Sequence, residues 1–303
     1  MVQELLQAQV KPSWLKIRPA HDTDFSGFKE ILRTRGLRTV CEEANCPNMA
    51  ECWHKAKTVT FMVLGDTCTR GCKFCAVKTA YKGQSLDSDE PRKLAETIRE
   101  MKLTYAVVTS VDRDDLPDQG AGHFAACIRE IKRQHPTTIV EVLIPDFRGD
   151  VSCLQVIADA KPDVISHNIE TVKRLQEKVR DLRATYAQSL KVLENVKRID
   201  PGIFTKSSIM LGLGENTEEV EEAMKDLRKV GCDILTLGQY LKPKTKHLKV
   251  EEYILPEQFQ KYKAKADELG FLYTASGPFV RSSYRAGELF IQHIIKKRWE
   301  HSA

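Results

Sequence analysis

The sequence predicts an α/β protein: an incomplete (β/α)6 barrel of the TIM type, with a cysteine-rich extension before it and a helical extension after it. Three observations lead there. Short apolar runs, bounded by turn residues, occur at 59–64, 105–109, 138–144, 163–167, 203–211 and 233–238. Helical patterns with their own start and stop signals lie between them. Polar clusters follow the runs directly, at the edge where parallel sheets bind ligands. Strand–helix alternation makes a parallel sheet with right-handed crossovers. Six units fall short of the eight that close a barrel. The expected division is 1–57 for the N-terminal extension, 58–277 for the partial barrel and 278–303 for the C-terminal extension.

Taken in order, Lys11-Pro12-Ser13-Trp14-Leu15 reads as an extended arm anchored by Trp14. Ser26 to Arg35 reads as a short helix with Phe28, Ile31 and Leu32 on one face and Gly36 as its stop. Val59-Thr60-Phe61-Met62-Val63-Leu64 reads as a buried strand. Glu90-Pro91 opens a helix with Leu94, Ile98 and Met101 at i, i+4 and i+7. Asn216-Thr217-Glu218-Glu219 is a capping box, followed by Val220, Met224 and Leu227 and stopped at Gly231. Pro256 opens a helix with Phe259 and Leu269 inward and Gly270 as its stop. Glu288 onward reads as a helix with Leu289, Phe290 and Ile294 inward. No internal repeat or flexible linker stands out.

The 303 residues are 42% hydrophobic and 29% charged, an ordinary globular composition. The net charge of +5 fits an acidic protein partner or an anionic substrate and is too small to argue for nucleic acid. No apolar run is long enough for a membrane span. Met1-Val2-Gln3-Glu4-Leu5-Leu6 lacks a basic segment followed by an apolar core, so no secretory signal is expected and the expected compartment is the cytoplasm.

The cysteines carry the chemistry. There are 9, an odd number, and six crowd between residues 41 and 75, which suits metal binding better than a disulfide framework. Cys68, Cys72 and Cys75 are spaced C-x3-C-x2-C on the loop after the first barrel strand. Cubane iron–sulfur clusters are usually held by cysteine thiolates, and three cysteines leave one iron open. A structural zinc site would favour C-x2-C pairs completed by a second pair or by histidines, which this loop lacks. Cys41, Cys46 and Cys52 form a second triplet, C-x4-C-x5-C, too irregular for a zinc knuckle. Two triplets suggest two clusters. Cys127, Cys153 and Cys232 stand alone among apolar residues and read as buried small hydrophobes.

The polar clusters at the strand ends are Thr109-Ser110-Val111-Asp112-Arg113-Asp114-Asp115, His167-Asn168-Ile169-Glu170-Thr171, Met210-Leu211-Gly212-Leu213-Gly214-Glu215 and Gln239-Tyr240-Leu241; Arg183 follows the fourth unit. Each alone could be a solvated turn. Their repetition on the edge that carries the triplet points to a shared pocket.

The C-x3-C-x2-C loop, with Phe74 before its third cysteine, resembles the radical S-adenosylmethionine (SAM) superfamily. The upstream triplet and Arg281-Ser282-Ser283-Tyr284 resemble the lipoyl synthases in particular, and matching features run from about residue 35 to 290. The resemblance implies that Cys68, Cys72 and Cys75 hold a [4Fe–4S] cluster whose open iron is chelated by SAM. It implies that Thr109 and Ser110 lie near the methionine amino group, Asn168 and Glu170 near the ribose hydroxyls, Arg183 near the carboxylate, and Tyr240 and Leu241 near the adenine. It implies an auxiliary [4Fe–4S] cluster on Cys41, Cys46 and Cys52, completed by Ser283 (or Ser282), which donates sulfur to C6 and C8 of an octanoyl-lysine. Implied partners are an octanoylated carrier domain (glycine cleavage H protein or a 2-oxoacid dehydrogenase E2) and an electron donor such as ferredoxin or flavodoxin, with the enzyme a monomer. Two other readings compete. A methylthiotransferase would carry an extra nucleic-acid-binding domain, for which neither room nor a basic block is visible. A non-catalytic zinc or iron–sulfur scaffold would use the same thiols.

Overall fold

The structure, a computed structural model, describes residues 11–16, 26–43, 46, 48–49, 51–55, 58–284 and 294–295. Its main sheet has eight strands: β1 (Arg38–Thr39), β2 (Thr58–Val63), β5 (Tyr105–Ser110), β6 (Ile139–Leu143), β7 (Val164–Ser166), β8 (Phe204–Leu211), β9 (Ile234–Gln239) and β10 (Tyr273–Gly277), adjacent in that order. β2 and β5 to β10 run parallel, and β1 pairs antiparallel with β2. The edge strands β1 and β10 do not pair with each other, so the barrel is open. A small parallel pair, β3 (Thr67–Cys68) and β4 (Lys78–Thr79), forms in the loop after β2.

All six strands expected from the apolar runs form. Their residues are buried on both faces, as parallel strands flanked by helices must be. The strands are followed in turn by α3 (Glu90–Glu100), α4 (Ala121–Gln134), α5 (Val151–Asp159), the pair α6 (Gln176–Val179) and α7 (Tyr186–Ile199), α8 (Thr217–Lys229) and α9 (Pro256–Glu268). Before the barrel lie α1 (Ser26–Thr34) and the single turn α2 (Val40–Glu43). The capping box is built as read: Asn216 accepts from the Glu219 amide at 2.8 Å, and Glu219 accepts from the Asn216 amide at 2.9 Å.

β10 is a seventh parallel strand that the apolar runs do not announce. Tyr-Thr-Ala-Ser-Gly is only half-buried because it lies on the open edge. The arm is anchored by Leu15, which is fully buried, and not by Trp14, which is 37% exposed. A turn directs only one of two neighbours inward. Of the C-terminal helix, residues 288–293 lie outside the described residues; Ile294 and Ile295 are helical and pack on the barrel floor. That floor is made by Tyr105, Ile139, Val164, Phe204 and Ile234, the first residues of five successive strands. One layer above it, Lys206 meets Glu141 at 2.8 Å, both buried, with the Tyr105 hydroxyl donating to Glu141 at 2.7 Å. The interior is therefore filled below, and its free end is the C-terminal end of the strands.

Candidate active site

The loop carrying Cys68, Cys72 and Cys75 is tied to the ends of four other strands. After β5, Asp112 accepts from the Thr69 amide at 3.0 Å, and the Thr69 hydroxyl accepts from the Asp114 amide at 3.0 Å. Arg70 is buried and bridges Asp114, at 2.9 Å, to Asp146 beyond β6, at 2.7 Å. After β7, Asp181 accepts from the Gly71 amide at 2.8 Å and the Val179 carbonyl accepts from Lys73 at 2.9 Å. After β9, His247 bonds the Cys75 carbonyl at 3.0 Å. A short loop with three thiols cannot hold itself; this one is held by its neighbours.

Backbone amides also reach the sulfurs. Arg70 N–H donates to Cys68 Sγ at 3.4 Å and Asp181 N–H to Cys72 Sγ at 3.3 Å. Burial, followed by the Asp112 carboxylate for Cys68, pushes the Cys68 and Cys72 thiols up to about 12, and burial raises Cys75 as well. Burial keeps these thiols protonated, so a metal that binds them must displace those protons. Sulfurs bound at 2.3 Å to one zinc stand about 3.8 Å apart. Among the described residues, the one group of three ligand-type atoms within 4.8 Å of one another is Glu90, His123 and Cys127, not either triplet. Neither triplet has all three of its sulfurs that close together. Around Glu90, the His123 ring at 2.7 Å and the Leu64 amide at 3.1 Å join α3, α4 and the end of β2.

The other residues read from the sequence gather at the same end of the sheet, in unequal states. Ser110 Oγ and Asn168 Oδ1 are buried without a hydrogen-bond partner, the condition of groups shaped for a ligand. Asn168 donates to Glu170 at 3.1 Å, and Glu170 holds a left-handed φ of 65°, backbone strain that a ligand site accommodates. Burial raises the Glu170 carboxyl, and Arg180 opposes this. Thr109, by contrast, spends its hydroxyl on the Leu143 carbonyl at 2.9 Å. Tyr240 donates to the Leu248 carbonyl at 2.9 Å, and Leu241 is half-buried beside it. Arg183 is paired with Asp181 at 2.8 Å and Asp114 at 3.1 Å and donates to the Thr69 carbonyl at 2.7 Å, so it braces the cysteine loop. Arg180, which sequence reasoning passed over, is buried, donates to Ser189 at 2.7 Å and keeps an unpartnered Nε.

The second triplet lies beside β2. Antiparallel pairing sets Arg38 opposite Met62 and Thr39 opposite Phe61, and Cys41 follows in α2, within the apolar cluster that includes Val59, Phe61 and Met62. Cys41 and Cys52 are buried, and burial raises the Cys46 thiol. The segment 279–284 returns to the same place from over 200 residues away. Asn48 donates to the Phe279 carbonyl at 2.6 Å, Thr60 to Ser283 Oγ at 2.8 Å and Tyr284 to Glu51 at 3.1 Å. Cys46, Cys68 and Tyr284 all pack on the apolar cluster that contains Cys41 and Cys52. Ser282 is half-buried. Sequence reasoning missed Thr60, Arg70, Asp146, Asp181 and His247, since single polar residues carry no periodic signal.

Comparison with known proteins agrees with this architecture. The Radical SAM superfamily profile matches residues 62–227. "Lipoyl synthase, mitochondrial" of Culex quinquefasciatus is 57% identical over 291 residues, covering 95% of this chain and 77% of that protein. "Lipoyl synthase" of Halobacterium salinarum is 55% identical over 296 residues, covering 96% and 94%. Among solved structures, the [FeFe]-hydrogenase maturase HydG of Carboxydothermus hydrogenoformans superposes with a TM-score of 0.55 at 14% identity, over 89% of this chain and 78% of that one, a likeness of fold alone. With a superfamily profile over more than half its length and relatives this similar over nearly all of it, the chain belongs to the lipoyl synthase family of the radical SAM superfamily.

Proposed function

We propose that the protein is a sulfurtransferase that inserts sulfur at C6 and C8 of an octanoyl chain amide-linked to a lysine of a lipoyl carrier domain, using SAM. The observation that carries this reading is the convergence of Cys41, Cys46, Cys52 and the Ser283 segment on β2, on the apolar cluster that also seats Cys68. When bound, a [4Fe–4S] cluster at Cys68, Cys72 and Cys75 supplies the electron that releases a 5′-deoxyadenosyl radical from SAM, and a second at Cys41, Cys46, Cys52 and Ser283 supplies the sulfur.

The chain's own residues bind, orient and exclude water. Ser110 and Asn168 offer unsatisfied polar atoms to the amino group and ribose of SAM. Glu170 takes a ribose hydroxyl. Tyr240 and Leu241 line the adenine side. Thr109 and Arg183 hold the neighbouring strand and the cysteine loop, and Arg183 is the residue assigned to the SAM carboxylate. Ser283, rather than Ser282, is the serine assigned to the auxiliary site, because Ser283 is the one held by Thr60. The division into 1–57, 58–277 and 278–303 assigns two of these tasks to the extensions.

The carrier is the glycine cleavage H protein or a 2-oxoacid dehydrogenase E2, the electron donor is a ferredoxin or flavodoxin, and the enzyme acts as a monomer. Among the described residues no helix is long and apolar enough to cross a membrane. A cytoplasmic location belongs to this reading; the mosquito relative is named mitochondrial, and cell fractionation decides between the two compartments.

The test is direct. Anaerobically reconstituted, reduced protein is incubated with SAM and an octanoyl-lysine peptide, and the peptide is followed by mass spectrometry. Gain of one and then two sulfur atoms is expected. SAM cleavage without any sulfur gain would overturn the sulfur-insertion reading. A colourless, zinc-loaded protein would overturn the cluster chemistry altogether.

A further inference from the structure

Among the described residues, two of the buried arginines face carboxylates. Arg70 lies against Asp114 and Asp146, and Arg113 against Asp115. Arg281 does not. Its Nη1 donates to the Val280 carbonyl at 2.7 Å and the Gln239 carbonyl at 3.3 Å, and no carboxylate pairs with it among the described residues. A guanidinium has five N–H donors, and two carbonyls on one nitrogen leave most of them unused. Asn48, two residues after Cys46, holds the segment that carries Arg281, and the charge of the Cys46 thiol reaches the guanidinium.

The position is enforced. A Cβ on Gly238 would stand 1.9 Å from the Val280 carbonyl oxygen and 3.4 Å from Arg281 Nη1, so β9 has a glycine where this segment crosses it. Asn48 fixes the same segment at Phe279 and Thr60 fixes it at Ser283. A partly desolvated cation held rigidly without a counter-ion is costly. The cost disappears if an anion belongs there.

We infer that Arg281 is the counter-cation of the anionic group held by Cys41, Cys46, Cys52 and Ser283. The inference rests on the assignment of that ligand set in the proposed function. Three thiolates and a serine oxygen on an iron–sulfur cluster leave a net negative charge, and one-electron reduction makes it more negative. A fixed cation stabilises the reduced form most. Arg281 thereby raises the reduction potential of the group and slows the loss of its iron. It is a positioning residue acting on the charge of the site.

The test uses the full chain carrying Cys68→Ala, Cys72→Ala and Cys75→Ala, reconstituted with iron and sulfide, so that only the upstream triplet can be loaded. Iron content, the potential from an electron-paramagnetic-resonance titration, and the rate of iron loss to a chelator are read for Arg281, Arg281→Gln and Arg281→Lys, each shown to be folded by circular dichroism. Arg281→Gln is expected to move the potential to more negative values and to speed iron loss several-fold, with Arg281→Lys recovering most of both. Unchanged potential and iron loss in Arg281→Gln would overturn the inference while leaving the ligand set standing. A parent that binds no iron at the upstream triplet would overturn the ligand set and the inference with it.

Discussion

Arg70 and Asp146 meet at 2.7 Å with both side chains nearly sealed from solvent, and in doing so bind the cysteine loop to the far end of β6. Removing one partner of such a pair leaves a buried charge uncompensated, at about 3–5 kcal/mol. Arg70→Met should therefore destabilise the protein by about that much, and it should lose iron from the Cys68 site first, because Asp112 and Asp114 would no longer be drawn under the loop. Chemical unfolding and iron analysis check this. A variant as stable as the parent would mean that the other loop bonds suffice.

Gly238→Ala tests the seating of the C-terminal segment. Its Cβ would meet backbone, the Val280 carbonyl oxygen at 1.9 Å, and not a flexible side-chain tip. The segment must move away from β9 and take Ser283 away from Thr60. A loss of about 1–3 kcal/mol is expected from overpacking, together with loss of sulfur insertion and retention of SAM cleavage. Equal loss of both activities would show that the segment supports the whole barrel top.

The contrast between these two residues shows what was legible in the sequence. The barrel strands were legible because burial on both faces writes an apolar run, and both cysteine triplets because thiols are rare and clustered. β10 was not, since an edge strand needs no apolar run. Trp14 misled because size does not decide which neighbour a turn points inward. Arg70 and Arg281 carry one residue type and opposite electrostatic situations, and only their neighbours across the fold distinguish them.

Ser110→Ala and Asn168→Ala should behave differently from Thr109→Val. Ser110 Oγ is buried without a partner, so Ser110→Ala relieves the apo protein and weakens SAM binding, whereas Asn168→Ala weakens SAM binding and also removes the donor to Glu170. The Thr109 hydroxyl already bonds the Leu143 carbonyl, so Thr109→Val should cost about 1 kcal/mol of stability. Equilibrium binding of SAM, set beside unfolding midpoints, separates the two patterns. Weaker SAM binding confined to Thr109→Val would reverse the assignment.

Ser283→Ala and Cys68→Ala divide the reaction. Ser283 stands with the upstream triplet and Cys68 with the downstream one. Cys68→Ala should abolish SAM cleavage. Ser283→Ala should leave cleavage possible and abolish sulfur insertion into octanoyl-lysine. Normal lipoyl product from Ser283→Ala would remove the serine from the auxiliary site.

His167 gives the site a pH signature. Its Nδ1 bonds the Ile144 carbonyl at 2.9 Å and its Nε2 meets Ser189 Oγ at 2.9 Å, which itself accepts from Arg180. Carbonyl and hydroxyl roles together fix a neutral ring with the proton on Nδ1. Burial, and then Arg180, lowers its pKa from 6.5 to about 4. The unfolded chain therefore binds a proton that the folded chain refuses. This group's stabilisation is fully present above pH 6.5 and is lost as pH falls through that window towards 4. A shift of that size corresponds to about 3 kcal/mol. Buried carboxyls such as Glu170 are raised and work in the opposite direction, so the wild-type curve alone does not isolate the histidine. The comparison with His167→Gln does, because glutamine cannot take up the proton. Unfolding of the two proteins from pH 7 to 4.5 should show a steeper loss in the wild type, and parallel curves would mean that the fold leaves the His167 pKa where the unfolded chain has it.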